Sequence, residues 1–254
     1  MTAPFPDVVE DRLLGERLRL LQPRRGHRAG TDALLLAAVV PSDFNGHIAD
    51  LGAGVGTVGL VAAVRAPGAR VTLAERHAGA LDLAERNITL NGLGERVCAA
   101  SVDLFSATSR REAGLRDNVD LVLTNPPFHD DSHVRRSPDE ARRAAHVLAG
   151  GTLDDWLRAC ADVLRPGGVV VVVHRSDILA DLLACMTGRF GGLTVRSVHP
   201  RAQAPAVRVL LAGVKGSRAP LQVLPPIVAH EEDGRFTPAL AAIGRGEGQV
   251  AISG

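Results

Sequence analysis

The sequence has one lysine, Lys215, although lysine and arginine together number 29, and it has only three cysteines, Cys98, Cys160 and Cys185. The cysteines are far apart, odd in number and never arranged as CxxC. A disulfide framework and a zinc-type ligand spacing are therefore excluded, and the cysteines are expected to be small buried hydrophobes. Long apolar runs are also missing. The longest, around Ala33–Val40 and Val169–Val173, are far short of the roughly 20 residues that cross a bilayer. The amino-terminal MTAPFPDVVEDR lacks the basic-then-apolar order of a signal peptide, so a cytoplasmic protein with no membrane partner is expected. Charge of one sign is not in excess either, with 29 basic against 28 acidic residues and a formal net charge of +1. A chain-wide polyanion-binding surface is excluded, and any nucleic-acid footprint must be local. Codon bias accounts for most of the preference for arginine over lysine, although arginine also suits bidentate phosphate contacts.

What is present is a soluble composition, 46% hydrophobic and 22% charged over 254 residues, enough for one large domain with a sizeable core. From residue 47 short apolar runs alternate with helical stretches, the pattern of a βαβ series. Strands are expected at 47–51, 70–75, 96–101, 119–124, 169–174, 193–199 and 207–214, and helices at 57–66, 78–92, 152–164 and 176–187. Asn91-Gly92 and Pro166-Gly167-Gly168 are stop signals, and Thr152 is a helix cap followed by Asp154 and Asp155. The expected fold is α/β: about seven mostly parallel strands with helices on both faces and an antiparallel last strand. One domain spans 1–254, its sheet in 47–214, with elaborations at 1–46 and 215–254.

The first strand runs into Asp50-Leu51-Gly52-Ala53-Gly54-Val55-Gly56-Thr57. Glycines there let the backbone turn sharply and let a ligand approach without a Cβ in the way. A dinucleotide fingerprint would need glycine at 57 and would leave Asp50 unexplained. The pattern instead resembles motif I of the class I, Rossmann-like S-adenosylmethionine-dependent methyltransferases. That resemblance implies cofactor contacts from Asp50, Gly52, Ala53, Gly54 and Gly56. It places Glu75, ending the second strand, on the ribose hydroxyls and Asp103, after the third, on the adenine amine, and it adds Arg76 and Leu104.

The fourth strand ends in Asn125-Pro126-Pro127-Phe128. Two residues without N–H stop sheet pairing and hold carbonyls outward, and Phe128 offers a flat face for a ring. Asn125 has a side-chain oxygen to accept from an amine whose lone pair is delocalised. Such acceptors favour the pyramidal, partly cationic amine of a methyl-transfer transition state. No metal and no titrating base is needed. The tetrapeptide resembles the N/D-P-P-Y/F motif of enzymes that methylate planar nitrogens, which implies catalytic roles for Asn125, Pro126, Pro127 and Phe128, and cofactor contact from Asn125 as well.

LQPRRGHRAGTDALLLAA ahead of the turn, the helix at 79–92 and the tail RVLLAGVKGSRAPLQVLPPIVAHEEDG resemble the bacterial tRNA adenine-N6 methyltransferases that modify A37 of a valine tRNA, over roughly residues 15 to 240. By that resemblance Gly30, Thr31 and Asp32 edge a cofactor lid; read alone, Thr31 and Asp32 simply cap a helix. Phe128 stands where that family usually has tyrosine, and Asn125 to Asp130 also resembles ribosomal RNA guanine-N2 enzymes. Those enzymes commonly have duplicated domains, and the glutamine methylases carry a helical amino-terminal domain for which 49 residues leave little room. The expected substrate is an exocyclic amine of a base in RNA, adenine N6 of a tRNA first. The alternatives are guanine N2, a protein glutamine or small-molecule nitrogen, and a non-catalytic RNA-binding module. Cations expected to hold phosphates around a flipped base are Arg24, Arg25, His27 and Arg28; Arg135, Arg136, Arg142 and Arg143; and Lys215 and Arg218, all equally at home on a solvated surface. His129, His146 and His174 are expected to be structural. The sequence leaves the oligomeric state open.

Overall fold

A computed structural model describes residues 7–24, 30–127 and 151–252 and the backbone of 147–148. The chain opens with an antiparallel hairpin, β1 (Val8–Leu13) and β2 (Leu18–Pro23), and a short helix α1 (Thr31–Ala37). The alternation that follows is β3 (His47–Leu51), α2 (Thr57–Arg65), β4 (Arg70–Glu75), α3 (Ala78–Leu90), β5 (Val97–Ser101), α4 (Ala107–Glu112) and β6 (Val119–Thr124). After a two-residue antiparallel pair, β7 (Val147–Leu148) with β8 (Gly151–Thr152), come α5 (Leu153–Val163), β9 (Leu164–Arg175), a 3-10 turn at 176–178 and α6 (Leu179–Met186). The chain ends with β10 (Phe190–His199), β11 (Arg208–Lys215), the short β12 (Gln222–Val223) and β13 (Ile227–Val228), and α7 (Pro238–Gly244).

The main sheet runs β12-β10-β11-β9-β6-β3-β4-β5, with β13 also on β10, nine strands in all. Its seven long strands are those expected from the sequence. Two residue pairs at the outer edge of β10 supply the difference, too short to carry an alternating pattern. Strands β3, β4, β5, β6 and β9 are mutually parallel, and β11 is antiparallel to both β9 and β10. All carboxyl ends of the parallel strands therefore share one edge, where open α/β sheets bind ligands.

Side chains alternate across the sheet. In β3, Ile48 joins a cluster with α1, α2, α3 and α7, and Ala49 and Leu51 join a second cluster with α5 and α6 on the opposite face. The Val170–Val173 run is fully buried because β9 is covered on both faces. At Arg165-Pro166-Gly167-Gly168 the structure departs from expectation. Leu164 already pairs with Val119, and the four residues form a bulge before Leu121 meets Val169, with Gly167 at φ 78°. Thr152 caps α5 as expected, its Oγ1 accepting from Asp155 N at 3.1 Å while Asp155 Oδ2 accepts from Thr152 N. Cys160 is buried, but Cys98 is exposed on the end strand β5, contrary to expectation. Among the described residues no helix is long and apolar enough to cross a membrane.

The tail packs back on the start of the chain. Val250 N donates to Ala38 O at 2.9 Å and Arg65 Nη2 to Gly248 O at 2.6 Å. Helix α2 approaches β4 closely: a Cβ at Gly59 would overlap Leu73 Cδ2 and lie 3.1 Å from Val71 Cγ1. Gly59→Ala is expected to cost about 1–3 kcal/mol of stability through overpacking, read from denaturant unfolding.

Candidate active site

Three glycines with positive φ, Gly52 (75°), Gly54 (57°) and Gly56 (89°), carry the chain from β3 into α2. Gly52 and Ala53 donate to Ala74 O at 2.9 and 3.1 Å, tying the turn to the end of β4. Each glycine has its own neighbour. A Cβ at Gly52 would sit 2.8 Å from the ring of Trp156, one at Gly56 would sit 2.7 Å from Leu73 Cδ1, and one at Gly54 would meet nothing within 4 Å. The middle of the turn is thus the open part, and its flanks are wedged.

Two acids hold the turn. Glu75 Oε2 accepts from Gly54 N at 2.9 Å, and its Oε1 accepts from Arg76 N and His77 N at 2.9 and 2.8 Å. Of the roughly four lone-pair positions of a carboxylate, the one left lies on Oε2. Glu75 can therefore take one further hydroxyl without breaking a bond, where the sequence suggested two. Asp50 departs further from expectation. It is 2% exposed and accepts from Gly59 N at 2.8 Å, so it anchors α2 rather than a ligand. Burial, with the nearby negative charge of Glu75, pushes its carboxyl up to about 7.

Asp103 is exposed at the end of β5, its Oδ1 accepting from Phe105 N at 3.0 Å. Leu104 beside it is buried in the core, so its side chain is not offered to a ligand. Gly30 is the N-cap of α1 and no side chain caps the helix. The capping alternative for Thr31 and Asp32 thus fails, since Asp32 pairs with Arg208 of β11 at 2.8 Å. Arg76 is exposed beside Glu75.

Leu51 and Thr124 are register partners, so Asn125 leaves β6 beside the point where Gly52 leaves β3. Thr124 Oγ1 donates to Leu51 O at 2.8 Å and accepts from Trp156 Nε1 at 3.0 Å, fastening the two strand ends together. Asn125 itself is half-buried, and its Oδ1 is buried without a hydrogen-bond partner among the described residues. Pro126 is buried and Pro127 exposed. Sequence reasoning missed Thr124 and Trp156. A lone tryptophan in a predicted helix is visible, but its bond to a residue 32 positions away has no sequence signal.

The cations separate. Lys215 and Arg218 follow β11, which runs against the parallel strands, so they lie at the opposite edge of the sheet from the glycine turn; Lys215 Nζ is moreover bound to Asp117 Oδ1 at 2.8 Å and Leu164 O at 2.5 Å. They do not join the cleft as expected. Arg24 is exposed and paired with Asp7 at 2.9 Å. Arg25, His27, Arg28, Phe128, His129, Asp130, Arg135, Arg136, Arg142, Arg143 and His146 lie outside the described residues. His174 is buried, accepts from Arg175 N at 2.8 Å, and is pushed by burial to about 4, as a structural histidine should be. Among the described residues no group of three or more His, Cys, Asp or Glu is arranged to hold a metal. On the carboxyl edge beyond β10 lies a cavity of about 790 Å³ lined by Arg201, Arg235 and Phe236 and by the acids Glu231, Glu232 and Asp233, the last paired with Arg235. Phe236 is 53% exposed there and stacks on His230 at 4.9 Å.

The folded-state pKa of Asp50, about 7, lies above the ordinary 3.8. Between these values the folded protein keeps a proton that the unfolded chain has lost, so this group's contribution to stability is full below pH 3.8 and falls as pH rises towards 7. Asp50→Asn keeps an acceptor for Gly59 and removes that slope. The variant should gain unfolding free energy relative to the parent between pH 5 and 8 in chemical denaturation, and a pH-independent difference would contradict this account.

The family model of the methyltransferase small domain matches residues 28–198. The ribosomal RNA small subunit methyltransferase C of Sodalis glossinidius is 33% identical over 155 residues, which cover 61% of this chain and 38% of that protein, so the chain spans well under half of this relative. The tRNA1(Val) (adenine(37)-N6)-methyltransferase of Aeromonas hydrophila is 29% identical over 215 residues, covering 83% of this chain and 85% of the relative. Among solved structures, a predicted O-methyltransferase of Agrobacterium tumefaciens, protein Atu636, superposes with a TM-score of 0.73 at 32% identity, covering 87% of this chain and 98% of its own. With two thirds of its length matched by one family model, which spans both the glycine turn and the Asn-Pro-Pro exit, the chain belongs to the methyltransferase small domain family.

Proposed function

We propose that this protein is an S-adenosylmethionine-dependent N-methyltransferase that acts on an exocyclic amine of a base in RNA, with adenine N6 of a tRNA as the first candidate. The observation that carries the reading is the buried, unpartnered Oδ1 of Asn125 where β6 leaves the sheet beside the glycine turn. A buried acceptor without a donor costs about 1–3 kcal/mol, a cost that a bound N–H removes. S-adenosylmethionine supplies an electrophilic methyl group on a sulfonium.

The residues of the turn fit that cofactor. The space over Gly54 accepts its backbone, the remaining lone pair of Glu75 accepts one ribose hydroxyl, and exposed Asp103 accepts from the adenine amine. Gly52, Ala53 and Gly56 shape the turn, Arg76 follows Glu75 at its side, and Gly30 and Thr31 are assigned to the cofactor by the family resemblance. Asn125 Oδ1 accepts from the substrate amine and favours its pyramidal form, while Pro126 and Pro127, lacking N–H groups, free the neighbouring carbonyls to accept from the same amine. Phe128 provides the stacking face. Adenine and guanine amines both fit this scheme, and relatives named for tRNA adenine and for ribosomal RNA support a base in RNA. Such a substrate implies work in the cytoplasm.

Asn125→Ala should leave binding of S-adenosylhomocysteine within about threefold and lower turnover by roughly 10²–10³, the scale of losing one transition-state hydrogen bond. Turnover on total RNA from a strain lacking the protein, with the product nucleoside identified by mass spectrometry, measures this. Methyladenosine supports the reading, methylguanosine moves the target to N2, and no product refutes an RNA substrate.

A further inference from the structure

Helix α3 ends on two asparagines one turn apart, Asn87 in its last turn and Asn91 as its C-cap, and together they pair with the outer edge of β2. Asn87 Oδ1 accepts from Leu21 N at 2.7 Å and its Nδ2 donates to Leu21 O at 2.9 Å. Asn91 repeats the pattern on Arg19, accepting from its N at 2.9 Å and donating to its O at 2.7 Å. The geometry is close to commensurate. Four helical residues rise about 6.0 Å and two strand residues about 6.8 Å, so the step from Asn87 forward to Asn91 matches the step from Leu21 back to Arg19. The helix thus closes a strand edge that would otherwise be open.

The two amides differ in one respect. The second hydrogen of Asn91 Nδ2 goes to Asn87 O at 2.8 Å, within its own helix. The second hydrogen of Asn87 Nδ2 goes to Val55 O at 3.0 Å, in the middle of the glycine turn. Asn87 is fully buried, and both amide hydrogens are used. It therefore holds the hairpin and the turn with one planar group, in which neither contact can shift without the other.

We propose that Asn87 is a positioning residue that couples docking of the β1–β2 hairpin to the shape of the glycine turn, so that cofactor binding and hairpin docking strengthen each other. The inference rests on reading that turn as the S-adenosylmethionine site. Coupling of this kind is reciprocal: what cofactor binding does for the hairpin, the docked hairpin does for cofactor affinity.

Two measurements on the full chain test it, with S-adenosylhomocysteine as the probe. In the unsubstituted protein, saturating probe should slow amide hydrogen exchange at Leu21 and Arg19 at least about fivefold, the lower end of usual coupling; unchanged exchange with the probe bound overturns the proposal. In calorimetry, Asn87→Ala should weaken the probe at least about tenfold. Asn91→Ala, which loosens the same hairpin but leaves the Val55 contact, should weaken it less than about threefold. Equal affinities for the parent and Asn87→Ala, or equal losses in the two variants, overturn the proposal. Should Asn87→Ala not fold, the exchange measurement decides. No binding by the unsubstituted protein overturns the cofactor reading and the coupling together. Binding by the parent with no difference between variants overturns the coupling alone.

Discussion

The structure depends on how closely α2 can approach the sheet. Gly59 has no Cβ to push Leu73 away, so the helix lies low enough for its amide to reach the buried carboxyl of Asp50. That approach forces the chain to reverse between Leu51 and Thr57, and three residues with positive φ make the reversal. Once the turn is that tight, Gly54 N–H points at Glu75 and the turn is stitched to the end of β4. A shallower helix would take the Gly59 amide away from Asp50 and leave a buried carboxyl without that donor.

Around this turn the polar interior is paired with few exceptions. Thr124 both donates to Leu51 and accepts from Trp156, and Asn87 uses both its amide hydrogens and its oxygen. The other buried side-chain atoms without a partner among the described residues are arginine nitrogens of Arg65, Arg96 and Arg196; the Oδ1 of Asn125 is the acceptor of the set. A buried acceptor held without a donor is the group on which the proposed amine contact rests. Trp156 contributes twice, wedging under Gly52 and fixing Thr124, so the glycine turn and the Asn-Pro-Pro exit are parts of one rigid corner.

The additions at the two ends of the chain meet on one face of the sheet, where Val250 bonds Ala38 and α7 contacts α1. The hairpin ends close to the glycine turn because Leu21 is held by the same asparagine that holds Val55. Positive charge does not follow one surface. Lys215 serves the opposite edge of the sheet as a brace between β11 and the start of β9, while Arg201 and Arg235 flank the half-exposed Phe236 on the carboxyl edge.

The sequence by itself determined the seven long strands, the helices at α2, α3, α5 and α6, the glycine turn and the Asn-Pro-Pro exit, because each is written in neighbouring residues: apolar period, glycine with positive φ, proline without N–H; the six-residue α4 between β5 and β6 was too short to show such a period. The Thr152 cap was legible for the same reason, its partner Asp155 being three residues away. Tertiary structure alone decided what depends on distant partners. The direction of β11 put Lys215 at the wrong edge for the cleft, burial turned Asp50 from a ligand contact into a helix anchor, and three amides left Glu75 one free lone pair instead of two. Trp156 on Thr124, and Asn87 on both Leu21 and Val55, join residues between 32 and 66 positions apart. No local pattern encodes such pairings, since a hydrogen bond between remote residues exists only after the sheet has brought their backbones together.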